Sequence, residues 1–249
     1  MLDLGLRRAM TLLNGILSFI LPTSCCHCNS PVGDSFIPFF CSSCWDDFPL
    51  LDGPTCPRCG RLFESPEALA HSPSHLCGTC RQRLPHYDQA LSVGYFEGPL
   101  RDAIHQFKYR PCRTLAGPLS DWMLRDLRLT PGIDFIMPVP LHRARLRKRG
   151  FNQSLLLAHA VSEFSGIPLS YDNLLRIRPT RPQIELTEEE RIQNVAGAFS
   201  LTMPEAVKGK TLLLVDDVFT TGATMNACAA VLKESGAERI VSLTLARPG

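Results

Sequence analysis

An excess of charge of either sign is nearly missing from this 249-residue chain, whose formal net charge is only +2. So small a balance does not imply nucleic-acid binding by bulk attraction, although charge can still be concentrated locally. Long apolar runs are missing too. The stretch from Met10 to Leu21 is about 12 residues, is interrupted by Asn14 and Gly15, and is too short to cross a bilayer. Arg7 and Arg8 in front of it give the outline of a signal peptide, yet no Ala-x-Ala-like site follows. The next residues are Pro22, Thr23, Ser24 and Cys25, with Pro22 standing where a lipoprotein signal carries an aliphatic residue. The expectation is a short apolar helix over residues 1–24 that packs on the module behind it, without stable membrane insertion, in a cytoplasmic protein. Contact with a membrane surface is the alternative. A composition 45% hydrophobic and 20% charged excludes wholesale disorder, a coiled coil and a collagen-like repeat. The length suits one large domain, or a medium one with a small one.

Cysteine is sparse over most of the chain and dense in one window. Of 11 cysteines, only Cys112 and Cys228 fall outside Cys25–Cys80. The window holds four Cys-x-x-Cys pairs: Cys25/Cys28, Cys41/Cys44, Cys56/Cys59 and Cys77/Cys80, with Cys26 left over. Two residues between cysteines let both thiolates turn toward one ion, and two such pairs complete a tetrahedral zinc site. Four pairs therefore supply two Zn²⁺ ions. A disulfide framework would need an oxidising compartment, and the repeated spacing is a metal signature. Sequential pairing, first with second and third with fourth, is expected, as in a double zinc ribbon; a cross-braced pairing is the alternative. The metals are structural, because a 25–85 segment with few aliphatics cannot bury enough core to offset its ordering entropy. Cys26 is read as a non-ligand.

Beyond a linker at Arg81–Pro85 the pattern becomes that of an α/β domain spanning residues 86–249. Ala90–Tyr95, Phe135–Val139, Thr211–Val215 and Ile240–Leu245 read as strands. Leu100–Tyr109, Leu115–Leu129, Gln153–Ser165 and Ala223–Ser235 read as helices, with a basic loop before Gln153. Alternation at this interval implies crossovers and a mainly parallel central sheet.

Leu212-Leu213-Leu214-Val215 is a strand buried on both faces. Asp216 and Asp217 end it, where ligands bind in open α/β sheets, and Thr220-Thr221-Gly222 then lead into a helix whose N-terminus can hold a phosphate. Gly222 lets the backbone approach an anion closely. Carboxylates beside a phosphate cradle repel it unless they bind something else, such as sugar hydroxyls or magnesium-bound water. The pattern asks for a phosphorylated ribose. The segment from Leu212 to Thr224 resembles the 5-phosphoribosyl-1-pyrophosphate (PRPP) motif of type I phosphoribosyltransferases, with Phe219 in place of the usual aliphatic. The resemblance implies that Asp216 and Asp217 contact the ribose hydroxyls. It also implies that the turn from Val218 through Thr220, Thr221, Gly222, Ala223 and Thr224 holds the 5′-phosphate.

A second block, Pro138 to Gln153, follows a strand directly and places five Lys or Arg among the eight residues His142–Arg149. Its Pro-Leu-His…Arg-Gly-Phe-Asn-Gln signature resembles the ComF family of competence-associated proteins. So do the upstream Cys pairs, Gly98–Tyr109, and Thr180, Gln183, Leu186, Arg191, Asn194 and Phe199. The resemblance implies a type I phosphoribosyltransferase fold behind a double zinc ribbon, with PRPP and Mg²⁺ as ligands. It further implies a role in natural transformation or the use of external DNA, with single-stranded DNA and a competence helicase as partners.

Pyrophosphate leaving the ribose carries several negative charges, so fixed cations near it stabilise the transition state. Arg145 and Arg149, after the Phe135–Val139 strand, are the candidates, assisted by Lys108. A solvated basic face, or contact with DNA phosphates, is the other reading of the run. Thr187-Glu188-Glu189-Glu190 is a capping box that starts a helix at Glu188, within the stretch Arg176–Phe199 expected as an acceptor-side hood; a purely structural hood helix is the alternative. His105 and His142 are candidate proton-transfer groups or hydrogen-bonded loop residues. Phe36, Phe39, Phe40, Trp45, Phe48 and Phe63 either stack bases or, as preferred here, fill the core beside the zinc sites.

Overall fold

The aliphatics Leu212–Val215 are fully buried because both faces of their strand are covered. The computed structural model describes residues 24–33, 35, 37–65, 69, 72–109, 113–125, 127, 129, 131–181 and 187–249. The expected helix ahead of Ser24, and with it Phe36, Cys112, Gln183 and Leu186, lies outside the described residues.

Four parallel strands form the central sheet: β1 (Gln89–Tyr95), β2 (Phe135–Pro138), β5 (Thr211–Val218) and β6 (Arg239–Arg247). Their order is β1-β6-β5-β2. Alternate side chains of β5 and β6 go to opposite faces, as the two-residue strand period requires. Leu213, Val215, Val241, Leu243 and Leu245 join one core with α3 (Gly98–Tyr109), α4 (Ala116–Leu124) and α6 (Gln153–Ser165). Leu212, Leu214 and Ile240 join the other, against Met225, Ala229 and Leu232 of α8 (Ala223–Glu234). Two polar side chains, Ser242 and Thr244, are also fully buried. Thr244 is paired with Ser92 at 2.8 Å between hydroxyls.

Three expectations need correction. The basic run is not a loop but the helix α5 (Arg143–Arg149). Its Ala, Leu, Arg and Lys are strong helix formers. The side chain of His142 accepts the Ala144 N–H at its start, and Gly150 closes its end at φ 80°. The helix expected over Leu115–Leu129 stops at Leu124 and is preceded by a 3₁₀ turn, Arg113–Leu115. The linker is not loose: Arg81 and Gln82 belong to the helix α2 (Gly78–Gln82), and the Pro85 carbonyl accepts from Arg58 at 2.8 Å.

A small antiparallel hood, β3 (Leu174–Arg176) with β4 (Phe199–Leu201), packs with α7 (Glu188–Val195) on α8. The predicted capping box at Thr187 and Glu190 is formed in both directions. Asn194 accepts the Arg181 N–H at 3.0 Å and donates to the Arg181 carbonyl at 3.1 Å, so it ties down the hood loop.

The two cysteine modules repeat one backbone plan. Asn29 and Gly60, each four residues after the first cysteine of its module, lie in the left-handed region at φ 61° and 68°. Each donates its N–H back to that cysteine's carbonyl, at 3.0 and 2.8 Å. Cys41 and Cys77 in turn precede α1 (Ser42–Asp46) and α2, which present Cys44 and Cys80 from their third residues. The first module merges with the main core: Phe40, Trp45 and Phe48 are buried, and Phe48 meets Trp122 edge-on at 5.5 Å. These rings are therefore core and not stacking platforms; Phe39 and Phe63 are partly buried. Backbone bonds from Leu51 to Val93 and from Tyr95 to Pro49 join the connector between the modules to β1. At Gly94 any side chain would overlap the Pro49 carbonyl and Trp122.

Candidate functional site

The strand β5 delivers Asp216 and Asp217 to the sheet's C-terminal end, and the turn from Phe219 to Gly222 reverses the chain into α8. Gly222 is the N-cap residue, at φ 76°. A Cβ there would sit 2.6 Å from Phe219 Cζ, so the turn demands glycine twice over, by backbone conformation and by space. Thr221 Oγ1 accepts the Ala223 N–H at 3.4 Å, and the Gly222 carbonyl accepts from Asn226 at 2.8 Å. A shallow cleft, open to solvent, lies over this turn. Of the sequence-predicted contacts, Asp216, Val218, Thr220, Gly222, Ala223 and Thr224 line it; Phe219 and Met225 line it as well. Backbone N–H groups in the first turn of a helix lack intrahelical partners, which suits the cleft to an anion.

The two carboxylates differ in environment. Asp216 accepts from Ser154 Oγ at 2.7 Å and from the Asp217 N–H at 2.9 Å. Burial, with the neighbouring Asp217 charge second, lifts its pKa from 3.8 to about 6. Asp217 is buried and pairs with Lys108 Nζ at 2.8 Å. Lys108 thus reaches the site, but its charge is committed to a carboxylate. The two predicted arginines are held at the edge. Arg145 donates to the Thr180 carbonyl at 3.2 Å, and Arg149 to Gln153 Oε1 at 3.1 Å. The remaining cations of α5 (Arg143, Arg147 and Lys148) are exposed. Between the candidate histidines, His142 serves as a helix cap, while the ring of His105 lies 5.7 Å from Phe96. Burial, then Lys108 and Arg101, lower the proton affinity of His105.

Sequence reasoning missed the latch behind the carboxylates. Asn152 caps α6 and donates to the Val139 carbonyl at 3.0 Å, while buried Gln153 donates to the Phe107 carbonyl at 3.2 Å. Phe151 packs on Phe107 and lies under the Arg113 guanidinium. The Phe-Asn-Gln-Ser run therefore clamps α3 to α6 and aims Ser154 at Asp216. The Asn-x-Ser cap pattern was the available signal. Also missed was Arg176 on β3, buried and bonded to Thr180 Oγ1 at 2.5 Å, within electrostatic reach of Asp216 and Arg145.

The metal-ligating cysteines gather sequentially, as expected: Cys25, Cys28, Cys41 and Cys44 in one cluster, Cys56, Cys59, Cys77 and Cys80 in the other. Within each, the ligand atoms all lie within 4.8 Å of one another. Cys28–Cys41 and Cys59–Cys77 sulfurs are 3.7 and 3.5 Å apart. A tetrahedral Zn–S₄ centre with ~2.3 Å bonds requires sulfurs about 3.8 Å apart, so both clusters fit Zn²⁺. Cys26 stands outside, its N–H bonded to the Phe39 carbonyl at 2.9 Å. Burial raises the Cys44 and Cys80 thiols, whereas backbone N–H groups outweigh burial at Cys56 and bring it to about 7.

Residues 155–249 match the phosphoribosyl transferase domain family, and residues 16–81 the double zinc ribbon family. Competence protein F of Haemophilus influenzae is 32% identical over 227 residues, 86% of this chain and 99% of that relative. DNA utilization protein YhgH of Escherichia coli (strain K12) is 34% identical over 202 residues, 79% of this chain and 85% of its own. Competence protein ComFC of Bacillus subtilis is 29% identical over 213 residues, 83% of each.

Proposed function

Because the chain belongs to the ComF family of competence and DNA utilization proteins, we propose that its phosphoribosyltransferase-like domain binds PRPP with Mg²⁺ and transfers ribose 5-phosphate to an acceptor. The observation that carries this reading is Asp216 in one cleft with the glycine-capped start of α8, with Asp217 next to it at the end of β5. The 5′-phosphate takes the helix N-terminus, with Thr220, Thr221 and Thr224 adding hydroxyls and Gly222 leaving room for close approach. Asp216 and Asp217 accept from the ribose hydroxyls, and Lys108 keeps the pair from carrying two uncompensated charges. Arg145 and Arg149 face the pyrophosphate by exchanging their carbonyl and amide partners for its oxygens. Mg²⁺, when bound with PRPP, neutralises charge building on the leaving group. The C1–O bond to pyrophosphate breaks as the acceptor's lone pair attacks C1 from the opposite face, so configuration inverts.

A second reading has a specific feature in its favour. Arg143, Arg147 and Lys148 stand exposed on α5, which has no buried residue. In that reading the protein holds PRPP only as a ligand and meets single-stranded DNA or a competence helicase through cations of this kind. Among the described residues no helix is long and apolar enough to cross a membrane, and the proposed setting is the cytoplasm. Thermal shift with PRPP and Mg²⁺ tests binding: stabilisation is expected in the wild type and lost in Asp216→Ala/Asp217→Ala. Pyrophosphate release with candidate acceptors separates turnover from binding. Stabilisation without any release favours the second reading.

A further inference from the structure

The two cysteine modules touch different parts of the molecule. The first meets α3 and α4, through Phe48 on Trp122 and through His27 Nδ1, 2.9 Å from Asp102. The second reaches the floor of the ligand turn. Buried Arg247, at the end of β6, donates through Nη1 to the carbonyl of Cys59 at 2.6 Å. Cys59 belongs to the second metal cluster. The same guanidinium lies over the Phe219 ring, 5.4 Å from its centroid. Phe219 is 4% exposed and meets Tyr87 edge-on at 5.8 Å. Its Cζ is the atom that a Gly222 Cβ would strike. Cysteine ligand, arginine, aromatic ring and turn thus form one continuous stack. Two side supports reinforce it. Gly60 is pressed so closely that a Cβ would lie 2.5 Å from the Ala90 carbonyl and 3.3 Å from Arg247 Nη1. The His86 N–H also donates to Asn226 Oδ1 in α8 at 2.6 Å.

We propose that the second Cys₄ centre, acting through Arg247 and Phe219, sets the shape of the 219–222 turn, so that metal occupancy at that centre governs affinity for the sugar phosphate. Arg247, which does not line the cleft, and Phe219, which does, act here as positioning residues for the turn. The inference rests on the proposal that this turn holds PRPP. It also explains why an aromatic stands where an aliphatic is usual: the ring spans from the turn to the guanidinium. Coupling of this kind is reciprocal, so the ligand must in turn protect the second centre.

The test uses the full-length, zinc-loaded protein. Arg247→Met keeps the buried stem but removes the donor to Cys59. It should retain two zinc ions per chain and bind PRPP with Mg²⁺ about tenfold more weakly, while Arg247→Lys recovers most of that loss. Unchanged PRPP affinity in Arg247→Met overturns the proposal. Should that variant fail to fold, the wild type decides. Under a zinc-selective chelator in excess Mg²⁺, saturating PRPP should slow alkylation of Cys56, Cys59, Cys77 and Cys80 severalfold and leave Cys25, Cys28, Cys41 and Cys44 unaffected. Equal rates with and without PRPP at the second set overturn it. If wild-type protein does not bind PRPP, the ligand reading is refuted. Amide exchange of 219–224 before and after metal removal then judges the coupling: faster exchange supports it, and no change overturns it.

Discussion

Replacing Gly222 with alanine puts the geometry of the ligand turn to a quantitative test. At φ 76° the residue occupies the left-handed region, which costs an L-amino acid about 1–2 kcal/mol relative to glycine. The new methyl would also lie 2.6 Å from Phe219 Cζ and 3.1 Å from Cε1, inside contact distance. The ring cannot retreat freely, being held between Tyr87 and Arg247. Forcing a buried side chain from a packed site adds about 1–3 kcal/mol. Together these predict roughly 2–5 kcal/mol of destabilisation, or a fall in Tm of about 4–20 °C for a chain of this size. Calorimetry checks the first part, and PRPP titration checks whether the turn keeps its shape. Phe219→Leu shortens the obstructing ring, so Gly222→Ala/Phe219→Leu should lose less than the two single variants combined, by about 1 kcal/mol or more. A Gly222→Ala protein that melts and binds like the wild type would refute the reasoning.

Other consequences concern charge, metal and packing. Because Asp216 holds its proton up to about pH 6 and an unfolded aspartate only to about 3.8, the native state binds the extra proton between those values, and stability falls as pH rises through that window. The difference is at most about 3 kcal/mol. Asp216→Asn should therefore raise Tm at pH 7.5 more than at pH 4.5, while abolishing PRPP stabilisation; equal Tm changes at both pH values contradict the assignment. Lys108→Met leaves Asp217 buried and unpaired, costing about 3 kcal/mol by urea unfolding, and Lys108→Met/Asp217→Asn should recover much of that. Zinc analysis should return two ions per chain, and a value near one removes one of the sites. Deleting residues 1–84 would uncover Trp122 and Arg247, which pack on Phe48 and Cys59. The remnant should aggregate, and a soluble fragment with a cooperative melt would show that the α/β domain folds without the modules.

Long, repetitive signals made much of this fold legible in the sequence. The run Leu212–Val215 could only be a strand covered on both sides, Thr187 and Glu190 marked a helix start, and the four cysteine pairs specified two metal clusters. What escaped was either too short for a period or set by distant contacts. The hood strands β3 and β4 are three residues each, below the length at which alternation carries information. The helix α5 buries nothing, so it has no apolar stripe to announce it. At the site, the carboxylates and the glycine turn were readable from their order along the chain. Their partners were not: Ser154 lies 62 residues from Asp216, and Arg247 lies 188 residues from Cys59. Lys108 was named as a cation for the leaving group, but folding places it against Asp217, which neighbouring sequence could not disclose.

Titration of the full-length protein with PRPP in excess Mg²⁺, run in parallel on Asp216→Ala/Asp217→Ala, tests the central proposal most directly. Saturable binding near one PRPP per wild-type chain, absent from the double variant, is the predicted result. No binding by the wild type, or equal binding by both proteins, would contradict it.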